Sequence, residues 1–96
     1  MSLNKQMKVY QSSFFARKVK RLKPAEKAEL DQVVRDIIDN LAVGDEKKGD
    51  LKGVFIYKFK LHKNDYLLAY RICSENSLEL IMIGLHENYY RDLKNY

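Results

Sequence analysis

Apolar positions along this 96-residue chain change their period about halfway, from the spacing of a helix to that of a strand. After a polar start, residues 7–11 read as a short strand, and Ser12 and Ser13 then offer hydroxyls that can cap a helix. Phe15, Val19 and Leu22 follow at i, i+4 and i+7 and make one apolar stripe, with Arg17, Lys18, Lys20, Arg21 and Lys23 filling the rest of that helix. Pro24 ends it and suits the first turn of a second helix, where a missing N–H costs nothing. Leu30, Val33, Val34, Ile37, Ile38 and Leu41 give this second helix an apolar face to about Asn40, against an outer face of Glu26, Glu29, Asp31, Arg35, Asp36 and Asp39. The short turn between the helices predicts a hairpin whose shared apolar surface must be covered by something else.

That cover is a sheet. Residues 43–53, rich in Gly, Lys and Asp, read as a loop, and residues 54–62, 66–73 and 78–85 as strands separated by turn residues. Short sequential turns predict an antiparallel meander, and residues 87–94 a short closing helix. The expected fold class is therefore α+β, an N-terminal helix hairpin on one face of a small antiparallel sheet, with residues 1–96 forming one domain.

Side chains of the first long strand alternate with period two. Phe55, Tyr57, Phe59 and Leu61 share an apolar face for the helices, which sends Lys58, Lys60 and His62 to the other side. A two-residue turn at Lys63-Asn64 would set His62 opposite Asp65, Lys60 opposite Leu67, Lys58 opposite Ala69 and Ile56 opposite Arg71, bringing Arg71 onto the lysine face. The last strand is apolar on both sides, and its inner face does not follow from the pattern.

Charge then narrows the partners. With 18 Lys+Arg against 13 Asp+Glu the net charge is +5, which favours nucleic acid or an acidic protein. Lysines can equally be solvated surface or protect a sheet edge. The single cysteine, Cys73, sits inside a predicted strand, where packing explains it better than chemistry. His62 and His86 lack a Cys or His partner at ligand spacing, so no metal site is expected. No apolar run reaches membrane-spanning length and no secretory leader is evident, so a soluble protein of the cytoplasm, without a membrane partner, is the expectation.

Four stretches carry a resemblance: Lys48-Gly49-Asp50-Leu51-Lys52-Gly53, Val54-Phe55-Ile56-Tyr57-Lys58-Phe59-Lys60, Tyr66-Leu67-Leu68-Ala69-Tyr70, and the ending Gly84-Leu85-His86-Glu87-Asn88-Tyr89-Tyr90-Arg91-Asp92-Leu93-Lys94. Together they make the chain similar to the RelE/ParE toxins of bacterial type II toxin–antitoxin systems over nearly its whole length. In RelE, two lysines spaced i, i+2 on the corresponding strand contribute to mRNA cleavage, and Lys58 and Lys60 match that spacing. In YafQ-like relatives, a histidine after the last strand serves proton transfer and a following aromatic stacks on a base; His86 and Tyr90 match that pair. The resemblance departs at Leu67, where RelE carries an arginine, so one phosphate contact of that family is missing.

The resemblance implies a ribosome-dependent mRNA endonuclease that needs no cofactor. His86 would act as general acid or base because an imidazole titrates near neutrality, with Lys58 and Lys60 stabilising phosphate charge. Arg71, Tyr89, Tyr90, His62 and Arg91 are the candidate substrate contacts, one of the two tyrosines as a stacking platform. The alternative is a non-enzymatic ParE-type inhibitor of DNA gyrase on the same fold, which Leu67 favours as His86 beside Tyr90 favours the nuclease. Either implies a small, acidic cognate antitoxin, and the first adds the ribosome and mRNA as partners.

Overall fold

The computed structural model describes residues 7–86 and residue 93. Strand β1 (Lys8–Gln11) leads into helices α1 (Ser13–Lys20) and α2 (Pro24–Asp39), and strands β2 (Asp45–Glu46), β3 (Phe55–Leu61), β4 (Asn64–Ser74) and β5 (Ser77–Leu85) follow. They form one sheet in the order β1-β5-β4-β3-β2. β3, β4 and β5 are the predicted antiparallel meander, whereas β1 runs parallel to β5, from Lys8 beside Ser77 to Gln11 beside Leu80. The sheet is thus mixed rather than antiparallel. The meander leaves the outer edge of β5 open, and β1 fills it in the direction that delivers the chain to the start of α1. The two-residue strand β2, read from sequence as loop, pairs Asp45 with Ile56 and Glu46 with Phe55.

Both helices start where their capping chemistry dictates. Ser12 is the N-cap of α1 and its Oγ accepts from the Phe15 N–H at 2.9 Å, while Pro24 opens α2 and the Glu26 carboxylate accepts from the Lys23 N–H at 2.8 Å. Phe15, Leu30, Val33 and Ile37 are buried against Leu68, Tyr70, Leu78, Leu80 and Ile83 of the sheet, with Val19, Leu22, Phe55, Tyr57 and Phe59 packed around them. The closest approaches of α1 are to β5 and β1, and those of α2 are to β3, so what the two helices share is the sheet beneath them more than a mutual hairpin contact.

A β-bulge resolves the inner face of β5. Register shifts between Ala69 and Tyr70, so that Ile83 and Leu80 both point to the helices, while Ile81 and Met82 both lie in a second apolar cluster with Val54, Ile56, Leu67, Ala69 and Leu93. Ser12 secures this irregularity, because its N–H donates to the Leu80 carbonyl at 3.0 Å and its hydroxyl to the Ile81 carbonyl. The loop after α2 is tied down by Tyr70, which donates to the Leu41 carbonyl at 2.8 Å, accepts from the Gly44 N–H at 3.0 Å and stacks on Phe55. Gly44 permits this approach, since a Cβ there would meet the Ile56 carbonyl and the Tyr70 hydroxyl, each at 3.0 Å. Residues 87–94, expected to be helical, lie outside the described residues apart from Leu93, which is helical and buried in the second cluster.

Candidate functional site

The β3–β4 turn sits at His62-Lys63, one residue earlier than expected, and both residues adopt positive φ (49° and 71°). Leu61 now faces Asn64, Lys60 faces Asp65 and Lys58 faces Leu67. The displacement is two residues across the pair, an even number, so every side chain within β3 keeps its predicted face. Lys58 and Lys60 are exposed together on the side away from the helices, about 7 Å apart along the strand. His62 does not join them: it occupies the turn itself and its Nε2 lies 3.9 Å from Glu29 of α2.

Asp65 is the residue the sequence reading missed at this site. Its carboxylate pairs with the Lys60 ammonium at 2.9 Å, and both side chains are more than half exposed. The hydrogen bond and charge of Lys60 hold the Asp65 carboxyl below its ordinary 3.8, and Lys58 and His86 add to the lowering. Lys60 and Asp65 thus form an exposed ion pair near the β3–β4 turn, with Lys58 two residues back along the same face. His86 stands immediately beyond Leu85, the partner of Tyr66 at the end of β5, and is exposed. The signal that could have found Asp65 is charge alternation: moving the turn by one residue exchanges a Lys–Leu neighbour pair for Lys–Asp.

Arg71 is on the predicted face but elsewhere. It lies six residues along β4 from Asp65, about 20 Å away, and its Nη1 is 3.4 Å from Glu79 of β5. There it borders a cleft of about 350 Å³ with Lys52, Asp50 and Leu93. The apolar row of Ile56, Ala69 and Met82 separates it from the lysines. Leu67, in the row between Lys58 and Gly84, is buried in the second cluster, so that row presents no cation besides Lys58 among the described residues. Tyr89, Tyr90 and Arg91 lie outside the described residues. Cys73 is exposed and free, not a packing residue. Among the described residues no group of three or more His, Cys, Asp or Glu could hold a metal ion, and no helix is long and apolar enough to cross a membrane.

Two helices over one face of a five-stranded mixed sheet, with Lys58, Lys60 and Asp65 exposed at one end of the other face, make a small basic α+β protein. The family model for the ParE-like toxin of type II bacterial toxin–antitoxin systems matches residues 9–94, and the chain belongs to that family. No curated protein sequence matches it. Among solved structures it is similar to the toxin in the intact E. coli RelBE toxin–antitoxin complex (16% identity, TM-score 0.66, covering 84% of this chain and 98% of that one). It is likewise similar to a double arginine-to-alanine mutant of E. coli toxin RelE in the free state (12% identity, TM-score 0.70, 93% of each chain). A third similar structure is the Mycobacterium tuberculosis RelBE2 toxin–antitoxin complex (21% identity, TM-score 0.68, 84% of this chain and 99% of that one). At these identities the likeness speaks for the fold.

Proposed function

We propose that this toxin cleaves mRNA on the ribosome, with Lys58, Lys60 and His86 as its chemical groups. The observation that carries this reading is the exposure of Lys58 and Lys60 together on the face away from the helices, with Lys60 already holding the Asp65 carboxylate at 2.9 Å. An anion already sits where a phosphate would, and an exposed ion pair contributes little to stability, so a phosphate can displace the carboxylate at small cost.

In this reaction the 2′-oxygen of one nucleotide attacks the adjacent phosphorus. The O2′–P bond forms, the P–O5′ bond breaks, and a 2′,3′-cyclic phosphate and a 5′-hydroxyl result. One group takes the 2′-hydroxyl proton, another protonates the departing 5′-oxygen, and cations stabilise the doubly charged phosphorane between. His86 serves as the acid or base, and Lys58 and Lys60 hold the non-bridging oxygens. Asp65 keeps Lys60 directed toward the site before substrate arrives. Growth of the host then requires an antitoxin, which we take to be a small acidic protein covering this cationic face, in line with the RelBE complexes that share the fold.

The burial of Leu67, which leaves its row without a second cation, favours the alternative of gyrase inhibition. One experiment separates the two. A reporter mRNA translated on ribosomes with added toxin should show new 5′ ends in phase with codons, absent with His86→Ala. Intact mRNA together with blocked gyrase supercoiling would replace the nuclease reading with the inhibitor.

A further inference from the structure

β1 pairs with β5 only as far as Leu80, and Ser12 then turns the chain into α1, so residues 83–85 of β5 run on beside a helix instead of a strand. Between them lies a groove of about 250 Å³, lined by Lys18 of α1 and its C-cap Arg21, Glu26 of α2, Tyr66 of β4, and Gly84 and Leu85 of β5. Its lining combines two kinds of chemistry. Lys18 and Arg21, one helical turn apart, are exposed and supply cations; Lys18 also lies over the Phe14 ring at 5.6 Å. The same lining holds a half-buried phenol, Tyr66, and a carboxylate, Glu26. Burial first, and the Glu26 carboxylate second, raise the Tyr66 phenol above its ordinary 10.0, which keeps it a hydrogen-bond donor at neutral pH. Glu26 uses Oε1 to accept from the Lys23 N–H, and its second oxygen retains acceptor capacity. At the lip, Leu85 is 51% exposed, and the next residue is His86.

We propose that this groove is a nucleotide subsite for single-stranded RNA, holding a phosphate on Lys18 and Arg21 and a base against Tyr66 and Glu26. The inference rests on the RNA-cleavage reading for its continuity with His86, and it adds a second contact point on the strand being cut. Single-stranded RNA suits the groove better than an acidic protein does. An acidic side chain gains from the cations but meets repulsion at Glu26, whereas a nucleotide carries its charge at one end and amino or imino donors at the other. Adenine and cytosine present an exocyclic amino group to a carboxylate. Uracil presents two carbonyls and one N–H, so uridine is the disfavoured occupant.

The test is binding of labelled short oligo(A), oligo(C) and oligo(U) RNA to the full chain carrying His86→Gln, so that cleavage does not intervene. Lys18→Ala and Arg21→Ala should each weaken oligo(A) and oligo(C) binding about tenfold and reduce the dependence of log affinity on log salt by about 0.7. Glu26→Gln keeps the Lys23 cap, because glutamine also accepts there, and should bring oligo(U) up toward the other two. Unchanged RNA binding in both cation variants overturns the proposal, as does a loss confined to an acidic protein partner. If the wild-type chain cuts no mRNA on ribosomes yet binds RNA through Lys18 and Arg21, the cleavage reading falls and the subsite stands.

Discussion

On the helix side of the sheet, Leu68, Tyr70, Leu78 and Leu80 are sealed beneath α1 and α2. On the opposite side the same strands carry an apolar block around Ile56, Ala69 and Met82 at one end and the exposed Lys58, Lys60 and Asp65 at the other. Adjacent residues of one strand therefore experience opposite constraints: Lys58 and Lys60 are exposed on either side of Phe59, which packs toward the core. In the proposed function the chemical groups are exposed side chains that belong to neither buried cluster, so substitutions should separate into those that unfold the protein and those that silence it.

The largest separation is expected at His86. Removing a positioned acid or base typically costs about 10²–10⁴ in rate. His86→Ala is therefore predicted to reduce mRNA cleavage on ribosomes by that order while leaving the thermal midpoint unchanged, since the imidazole is exposed. A variant that both retains cleavage and melts early would dissolve the contrast between the faces. Its counterpart is Leu68→Ala, on the same sheet but with its side chain fully buried. Truncating such a residue costs about 2–5 kcal/mol, from lost transfer energy and the cavity left behind. In a 96-residue domain that is a large share of the typical total, and urea denaturation should show the midpoint falling sharply.

Period and capping made most of this arrangement legible. The stripe at Phe15, Val19 and Leu22, the start of α2 at Pro24 and the face shared by Phe55, Tyr57 and Phe59 are local consequences of sequence and stand as read. What escaped depends on single-residue offsets or distant pairing. The bulge at Ile81 inserts one residue into a period of two, which is why β5 looked apolar on both sides. The parallel β1–β5 pairing joins strands far apart in sequence, and no local signal specifies it. The lysine row survived an error in the turn because the register moved by an even number. His62 did not, because a turn residue belongs to neither face. Asp65 became visible only once its partner was known.

Ser12 sharpens the comparison, because one hydroxyl serves both faces. It caps α1, which packs on the inner core, and it bonds the carbonyl of Ile81, whose side chain belongs to the outer cluster. Ser12→Ala loses a cap worth about 1 kcal/mol and strips a partner from a buried carbonyl, worth about another 1 kcal/mol. A total near 2 kcal/mol is predicted by chemical denaturation. Amide exchange should accelerate in α1 and around Ile81 together; acceleration in α1 alone would mean that Ser12 does not support the bulge.

The smallest effect at neutral pH is expected at Tyr70, the polar tip of the helix-side core. Tyr70→Phe keeps the ring on Phe55 but removes the bonds to the Leu41 carbonyl and the Gly44 N–H. Water can reach that loop, so the cost is about 1 kcal/mol. The pH dependence is more informative than this value. Burial raises the phenol above 10.0 in the folded chain, so between the unfolded and folded pKa the native state holds a proton that the unfolded state has released. Stability then falls as pH rises through that interval. Asp65, on the other face, has the opposite sign: its depressed carboxyl contributes above the ordinary 3.8, and that contribution is lost as pH falls through its lower folded value. Wild-type and Tyr70→Phe chains should therefore differ most in their alkaline limbs above about pH 10, with the variant flatter there and the acid limbs superimposable. Identical alkaline limbs would mean that the Tyr70 hydroxyl is as well solvated in the fold as out of it.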